Sequence, residues 1–127
     1  MKRIVLITAV VLAAFLIFFP KAPIVRSPVP SISVILDTGS TIATVSGIQA
    51  ENAFTALTTM AKQKNLELKT KQYDFGVFVQ QIGTLVNTKE KSWIYFVNGK
   101  AGTVAADKQS LNAGDTVQWK YMTPTIK

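Results

Sequence analysis

The segment from residue 91 to residue 121 constrains the fold more than any other part of the chain. It contains both tryptophans and two of the three tyrosines. It opens with a predicted strand in which two sets of side chains alternate, Trp93, Tyr95 and Val97 on one face and Ile94 and Phe96 on the other. A strand with two apolar faces is buried on both sides, or is buried on one side and binds something with the other. The segment therefore indicates a binding or interaction module.

The residue types that usually carry catalysis and metal binding are scarce in this chain. It has no Cys and no His, which excludes disulfides, thiolate and imidazole metal ligands, and histidine-dependent nucleophilic catalysis. Its 7 Asp and Glu residues are dispersed, and no two of them are spaced in a way that suggests shared general acid and base catalysis. We therefore expect that the protein is not an enzyme, has no catalytic residues and no metal site, and requires no cofactor.

The positive charge of the chain is concentrated near its N-terminus. The formal net charge is +7, and Lys2, Arg3, Lys21 and Arg26 provide four of the 14 basic residues. After Arg26 the chain has no arginine, and its lysines are scattered singly. Proteins that read nucleic acids usually have clustered basic residues, with arginines for bidentate contacts. We therefore expect no nucleic-acid partner.

The first 19 residues have the pattern of a membrane-targeting segment. Lys2 and Arg3 precede an uncharged apolar run from residue 4 to residue 19. As a helix this run would span roughly 24 Å, at about 1.5 Å per residue. We predict an uncleaved signal anchor over residues 1–19, because bulky residues such as Phe18 and Phe19 occupy the region where a signal peptidase needs small ones. The alternatives are a cleaved signal peptide and a helix buried in the soluble domain.

The predicted anchor implies a location, a partner and a domain boundary. Residues 4–19 would contact the lipid bilayer, and the positively charged N-terminus would stay in the cytoplasm. We expect a single-pass protein of the cell membrane whose C-terminal domain is extracytoplasmic, or a secreted protein if the signal is cleaved. Residues 20–30 contain four prolines and predict a stiff linker. The folded domain is then predicted over residues 31–127.

The soluble part shows the order strand, strand, helix and four further strands. A helix is predicted from the apolar spacing between Ala50 and Ala61, with a capping box at Ser46 to Gln49 and an end at Asn65. Strands are predicted at residues 31–36, 41–45, 67–73, 77–82, 93–97 and 116–121. Asn98-Gly99 is predicted to form a tight hairpin turn. This order is typical of an α+β domain in which a β-grasp-like mixed sheet packs on a single helix.

Four stretches of this domain resemble a known family when they are read in order along residues 31 to 122. They are DFGVFVQQI at 74–82, SWIYFVNG at 92–99, AD at 106–107 and GDTVQW at 114–119. The chain resembles the transcobalamin-like C-terminal domain family, a domain of unknown function related to the β-domain of transcobalamin and intrinsic factor. The resemblance implies a β-grasp-like fold. In the vitamin carriers this domain closes over cobalamin held against a helical domain, which is absent here, and Lys108 replaces a tyrosine that is common in the family.

The aromatic residues have two interpretations, as core packing or as an exposed binding patch. On the second interpretation we predict a site formed by Phe75, Trp93 and Tyr95 as stacking surfaces, with Asp107 as a hydrogen-bond acceptor at the rim. The ligand that the resemblance implies is cobalamin or a related corrinoid. The sequence leaves open whether a separate protein supplies the helical domain. The alternative function is a structural or adhesive cell-surface module that binds another protein or a glycan.

Overall fold

A five-stranded sheet and one helix that packs on it form the main part of the protein. The computed structural model describes residues 28–124. Its elements in chain order are β1 (Ser31–Asp37), β2 (Ile42–Gln49), α1 (Ala53–Gln63), β3 (Leu68–Tyr73), β4 (Gly76–Ile82), β5 (Leu85–Val86), β6 (Ser92–Val97), β7 (Lys100–Ala101), a 3-10 helix (Ala106–Lys108) and β8 (Thr116–Met122).

The larger sheet has five strands in the order β2-β1-β8-β6-β7. The central strands β1 and β8 run parallel, with Val34 beside Val117 and Leu36 beside Trp119. The other neighbouring pairs in this sheet are antiparallel. A parallel pair needs a long connection, and here that connection includes α1, which covers one face of the sheet. The predicted α+β architecture, with a mixed sheet packed on one helix, is therefore confirmed for the described residues.

The core lies between α1 and this sheet. On β1 the buried residues alternate along the strand, and on α1 they recur three or four positions apart, so each element buries one face. The core residues of β1, α1 and β8 are Ile32, Val34, Leu36, Ala53, Ala56, Leu57, Met60, Val117 and Trp119. All members of the buried cluster lie between Ile32 and Trp119. Residues 28–124 therefore contain the whole of this buried cluster, and we expect residues 28–127 to fold as a unit.

The helix begins later than the sequence pattern predicts. Asn52 is its N-cap, and the Asn52 side chain accepts a hydrogen bond of 2.8 Å from the Thr55 N–H. The capping box predicted at Ser46 to Gln49 is wrong, because those residues belong to β2, which pairs with β1 as far as Gln49. Hairpin pairing has overridden a local helix signal. The predicted end at Asn65 is close to the observed one: its φ of 55° takes the chain out of the helix after Gln63.

The predicted strands do not all join one sheet. β3, β4 and β5 form a separate three-stranded sheet with β4 in the middle. β3 is exposed along most of its length, whereas β4 buries Val79 and Ile82 against the core. β5 and β7, of two residues each, were not predicted. Asn98 and Gly99 have φ values of 50° and 82° and connect β6 to β7, which confirms the predicted hairpin turn.

The membrane predictions concern residues that precede the described range of 28–124. None of the helices formed within residues 28–124 combines the length and the apolar composition that a bilayer crossing needs. The signal anchor predicted for residues 1–19 and most of the linker predicted for 20–30 lie outside the described residues.

Candidate functional site

A groove of about 610 Å³ lies between the two sheets. Four parts of the chain form it: the first half of β4 with the turn before it, residues 93–95 of β6, the chain from residue 102 to residue 108, and Trp119 of β8. Its lining residues are Phe75, Val77, Phe78, Val79, Trp93, Ile94, Tyr95, Gly102, Thr103, Val104, Ala105, Ala106, Lys108 and Trp119. Most of these side chains are apolar, and Lys108 is the one charged residue among them.

Hydrogen bonds near β5 join the smaller sheet to the larger one. The side-chain amide of Asn87 joins the two: its Nδ2 donates to the Val79 carbonyl, and its Oδ1 accepts from the Trp93 N–H, both at 2.9 Å. Trp93 Nε1 donates to the Leu85 carbonyl at 2.9 Å, and the Tyr121 hydroxyl donates to the Val86 carbonyl at 2.8 Å. Near β5 the sheets are therefore held together, and the groove lies beside the start of β4 and β6.

Three buried aromatic rings form the floor of the groove. Trp93, Tyr95 and Trp119 are 5%, 8% and 2% exposed. The Tyr95 and Trp119 rings pack with their centroids 5.4 Å apart. Gly102 lies so close to Tyr95 that a Cβ at this position would overlap its ring. The backbone at residue 102 therefore packs so tightly against the Tyr95 ring that only glycine fits there.

The Tyr95 hydroxyl already has a partner within the protein. It donates a hydrogen bond to the Val104 carbonyl, which holds the 102–106 segment against β6. Burial raises the pKa of Tyr95 above its ordinary value of 10.0, and the negative charge of Asp107 acts in the same direction. The hydroxyl therefore stays protonated at neutral pH and has a structural role.

The rim of the groove carries exposed apolar side chains. Phe75, Phe78 and Val104 are 61%, 41% and 47% exposed. Phe75 stacks on Tyr73, with ring centroids 5.1 Å apart and an interplanar angle of 8°. Exposed rings that support one another present a stiff apolar surface at low entropic cost, which is a property of binding sites.

Asp107 lies beside the groove and holds two elements together. Its Oδ1 accepts a hydrogen bond of 3.0 Å from the Val77 N–H, and its Oδ2 lies 3.9 Å from Lys108 Nζ. Gly76 has a φ of 133°, and a Cβ there would lie 2.5 Å from both the Asp107 Oδ1 and the Ala105 Cβ. The carboxylate therefore fixes the 3-10 helix to the start of β4.

The four residues predicted as a site are thus neighbours in the fold. Phe75, Trp93 and Tyr95 line the same groove, and Asp107 lies between two lining residues. Sequence reasoning missed the contributions of Phe78, Val104, Lys108 and Trp119. Trp119 and Tyr121 alternate with Gln118 and Lys120 along β8, a pattern that indicates one apolar face. The position of Trp119 at a groove depends on how the second sheet packs, for which the sequence carries no local signal.

The groove offers contact surface and few groups for chemistry. Among residues 28–124, no three Asp or Glu side chains converge in a way that would hold a metal ion. The tyrosine of the floor is protonated and occupied. The arrangement is therefore suited to burying an apolar ligand, with hydrogen bonds at few positions.

The chain matches the model of one protein family. A family model described as a domain of unknown function (DUF4430) matches residues 44–123, which is more than half of the chain. The chain belongs to this family. The matched range runs from β2 to β8 and includes every residue that lines the groove. No match is found among curated proteins.

Solved structures contain the same fold as this DUF4430 member. One is the crystal structure, at 1.30 Å resolution, of a proposed metal-binding protein from Ruminococcus gnavus ATCC 29149. It is similar with a TM-score of 0.60 and 16% sequence identity, over 76% of this chain and 99% of that chain.

Proposed function

We propose that this domain is a non-catalytic binding module that takes an apolar, flat ligand into the groove between its two sheets. The groove itself is the observation that supports this proposal. Its volume of about 610 Å³ lies within the range of about 300–1,000 Å³ that is usual for small-molecule sites. Its walls are aromatic and aliphatic, and its rim carries Phe75 and Phe78 in exposed positions.

Cobalamin or a related corrinoid is the first ligand to test. The resemblance of residues 74–82, 92–99 and 114–119 to the transcobalamin-like domain supports this choice, as do the apolar walls of the groove. A corrinoid is larger than the groove, so the domain would cover one edge of the ring and a partner protein would cover the rest. The chain has no His, so it would supply packing and hydrogen bonds and no imidazole ligand to cobalt.

A metal bound in this groove would be one that the organic ligand itself chelates. The solved structure from R. gnavus is described as a proposed metal-binding protein, but the described residues of this chain contain no cluster of metal-binding side chains. We therefore carry over no side-chain metal site. A metal chelated within an organic ring, as cobalt is in a corrinoid, needs only an apolar groove and a few hydrogen bonds.

The proposal places the groove outside the cell membrane. Residues 1–19 would anchor the protein and residues 20–30 would hold the domain away from the bilayer. Digestion of intact cells and of lysed cells with a protease tests this placement. Cleavage of the domain in intact cells supports an extracytoplasmic position, whereas protection until lysis contradicts it.

Calorimetric titration of residues 28–127 with cobalamin and with cobinamide tests the ligand. Saturable heat at micromolar concentration, with a rise in melting temperature, would support the proposal. Phe75→Ala should weaken this binding, whereas Ile42→Ala, a matched control at an exposed apolar residue of β2 that does not line the groove, should not. The absence of heat and of a melting shift up to about 1 mM would contradict corrinoid binding by the isolated domain.

The alternative is a structural or adhesive module, and one observation favours it. Tyr73, Phe75 and Phe78 are exposed together at one end of the smaller sheet. Exposed aromatic groups of this kind also stack on sugar rings or dock on proteins. Binding of wild type but not of Tyr73→Ala to a glycan array, without any corrinoid binding, would favour this alternative.

A further inference from the structure

We infer that the groove selects ligands that carry a hydrogen-bond acceptor, which Trp119 at the floor of the groove would bind through its indole N–H. The inference rests on the proposed function and adds the chemical class of the ligand. That class is an apolar body with a carbonyl, ether or carboxylate oxygen. Corrinoids belong to it, since amide carbonyls surround their ring.

The two tryptophans of the chain differ in how their indole N–H groups are satisfied. Trp93 Nε1 donates to the Leu85 carbonyl at 2.9 Å. Trp119 is only 2% exposed, so its Nε1 is shielded from water. Within the described part of the chain this nitrogen also has no hydrogen-bond partner. Buried indole N–H groups usually find a partner, because an N–H that has lost its bond to water and gained none in the protein destabilises the fold. The Trp119 N–H is therefore an unused donor.

The neighbours of Trp119 in the groove do not supply the missing acceptor. Tyr95 packs against its ring, but the Tyr95 hydroxyl donates to the Val104 carbonyl. Lys108 has only donor hydrogens to offer. Of the other lining side chains, that of Trp93 offers only an N–H donor, which is already bonded to the Leu85 carbonyl, and Thr103 is exposed at the surface.

The Trp119 nitrogen has almost no accessible surface, so a molecule that fills the groove provides this acceptor by displacing the groups that cover the nitrogen. Ligand sites are commonly apolar with a small number of polar groups that fix the orientation of the ligand. A hydrocarbon would leave the Trp119 N–H unsatisfied, whereas a ligand with an oxygen at the right depth would form a hydrogen bond shielded from water. Such a bond adds about 0.5–1.5 kcal/mol, which corresponds to an affinity about 2- to 10-fold higher.

Nuclear magnetic resonance can observe both indole groups at once. In ¹⁵N-labelled residues 28–127 the two tryptophans give two indole N–H signals, and Trp119→Phe assigns them. The probes are 2-acetylnaphthalene and 2-ethylnaphthalene, which share an aromatic body and differ in one carbonyl oxygen. We expect the ketone to bind about 2- to 10-fold more tightly and to move the Trp119 indole proton downfield, while the Trp93 signal stays in place as the internal control.

An isosteric replacement separates the hydrogen bond from packing. Trp119→β-(3-benzothienyl)alanine keeps the shape of the ring and replaces the N–H by sulfur, so it keeps the domain folded even where Trp119→Phe does not. The preference for the ketone should disappear in this variant, and the affinity for 2-ethylnaphthalene should stay unchanged.

The outcomes distinguish this inference from the proposed function. If both probes shift the backbone signals of Phe75 and Val104 but bind equally and leave the Trp119 indole signal in place, the inference is wrong and groove binding stands. If neither probe shifts those backbone signals at saturating concentration, the groove does not take apolar ligands, and the proposed function fails together with the inference.

Discussion

The two sheets of this protein differ in how much of them the core covers. In the five-stranded sheet, α1 covers one face, and β1 and β8 bury alternate residues completely. In the three-stranded sheet, β3 has no buried residue, and β4 reaches the core through Val79 and Ile82. Burial of apolar surface is the main source of stability. The larger sheet therefore holds the fold, and the smaller one presents exposed rings beside a groove.

This difference predicts that the stability of the two regions is unequal. The smaller sheet buries fewer residues than the larger one, and it is joined to the rest through Val79 and Ile82, the Asn87 bridge and the hydrogen bond from the Val77 N–H to Asp107. Regions with few buried contacts open at a lower free energy than the core. Such an attachment would also let the width of the groove change when a ligand binds.

The largest expected effect is in the larger sheet and its helix. Leu57 is 1% exposed, so Leu57→Ala should leave a cavity and lower the free energy of unfolding by about 2–5 kcal/mol. Gln72→Ala, at an exposed position of β3, should change it by less than about 0.5 kcal/mol. Urea unfolding of residues 28–127 measures both values. Equal losses in the two variants would show that the sheets do not differ in this way.

The next effect concerns the bridge between the sheets. Asn87→Ala removes both side-chain hydrogen bonds, to the Val79 carbonyl and from the Trp93 N–H, and should cost about 1–3 kcal/mol. Hydrogen exchange should become faster in β3 to β5 and stay slow in β1 and β8. Asn112→Ala, at an exposed residue whose backbone N–H still reaches Asp115, is the control. Uniformly faster exchange in all strands would contradict a local role for Asn87.

A smaller effect depends on pH and tests the attachment of the 102–106 segment. Burial raises the pKa of Tyr95 above 10.0 in the folded protein. Below that ordinary value the ring is protonated in both states and its contribution to stability is complete. As the pH rises from 10.0 through the higher folded value, the unfolded state ionises first and the contribution is lost, by at most about 1.4 kcal/mol per pH unit.

Urea unfolding at a series of pH values between 8 and 11 measures this loss. Wild type should lose stability above pH 10 more steeply than Tyr95→Phe, which has no hydroxyl to ionise. Parallel curves for the two proteins would show that the burial of this hydroxyl does not contribute to the pH dependence.

The smallest effect on stability is expected at the rim of the groove. Phe75 is 61% exposed, so Phe75→Ala should change the free energy of unfolding by less than about 0.5 kcal/mol. The same change should weaken binding of 2-acetylnaphthalene several-fold, because it removes a ring from the groove wall. A large loss of stability would assign Phe75 to the core and remove the contrast between the two sheets.

Local patterns predicted most elements of the fold. The alternation in β1 and β8 and the helical spacing from Ala53 to Ala61 each reflect one buried face, and such periods are visible in a single chain. The capping signal at Ser46 failed, because a strand already paired with β1 continues to Gln49. The choice between core and binding for Trp93 stayed open in the sequence. In the structure its ring is buried and still lines the groove.

The sequence alone therefore determines the type of most secondary-structure elements. It also determines which classes of function are excluded, because the residues that they need are absent. The absence of His and Cys and the dispersed carboxylates exclude whole groups of chemistry before any folding is considered. The pairing of strands is not encoded in this way, because every strand offers the same backbone donors and acceptors and its side-chain period specifies a face and not a partner. The division into two sheets, the groove between them and the unsatisfied N–H of Trp119 consequently arise only when distant segments pack together.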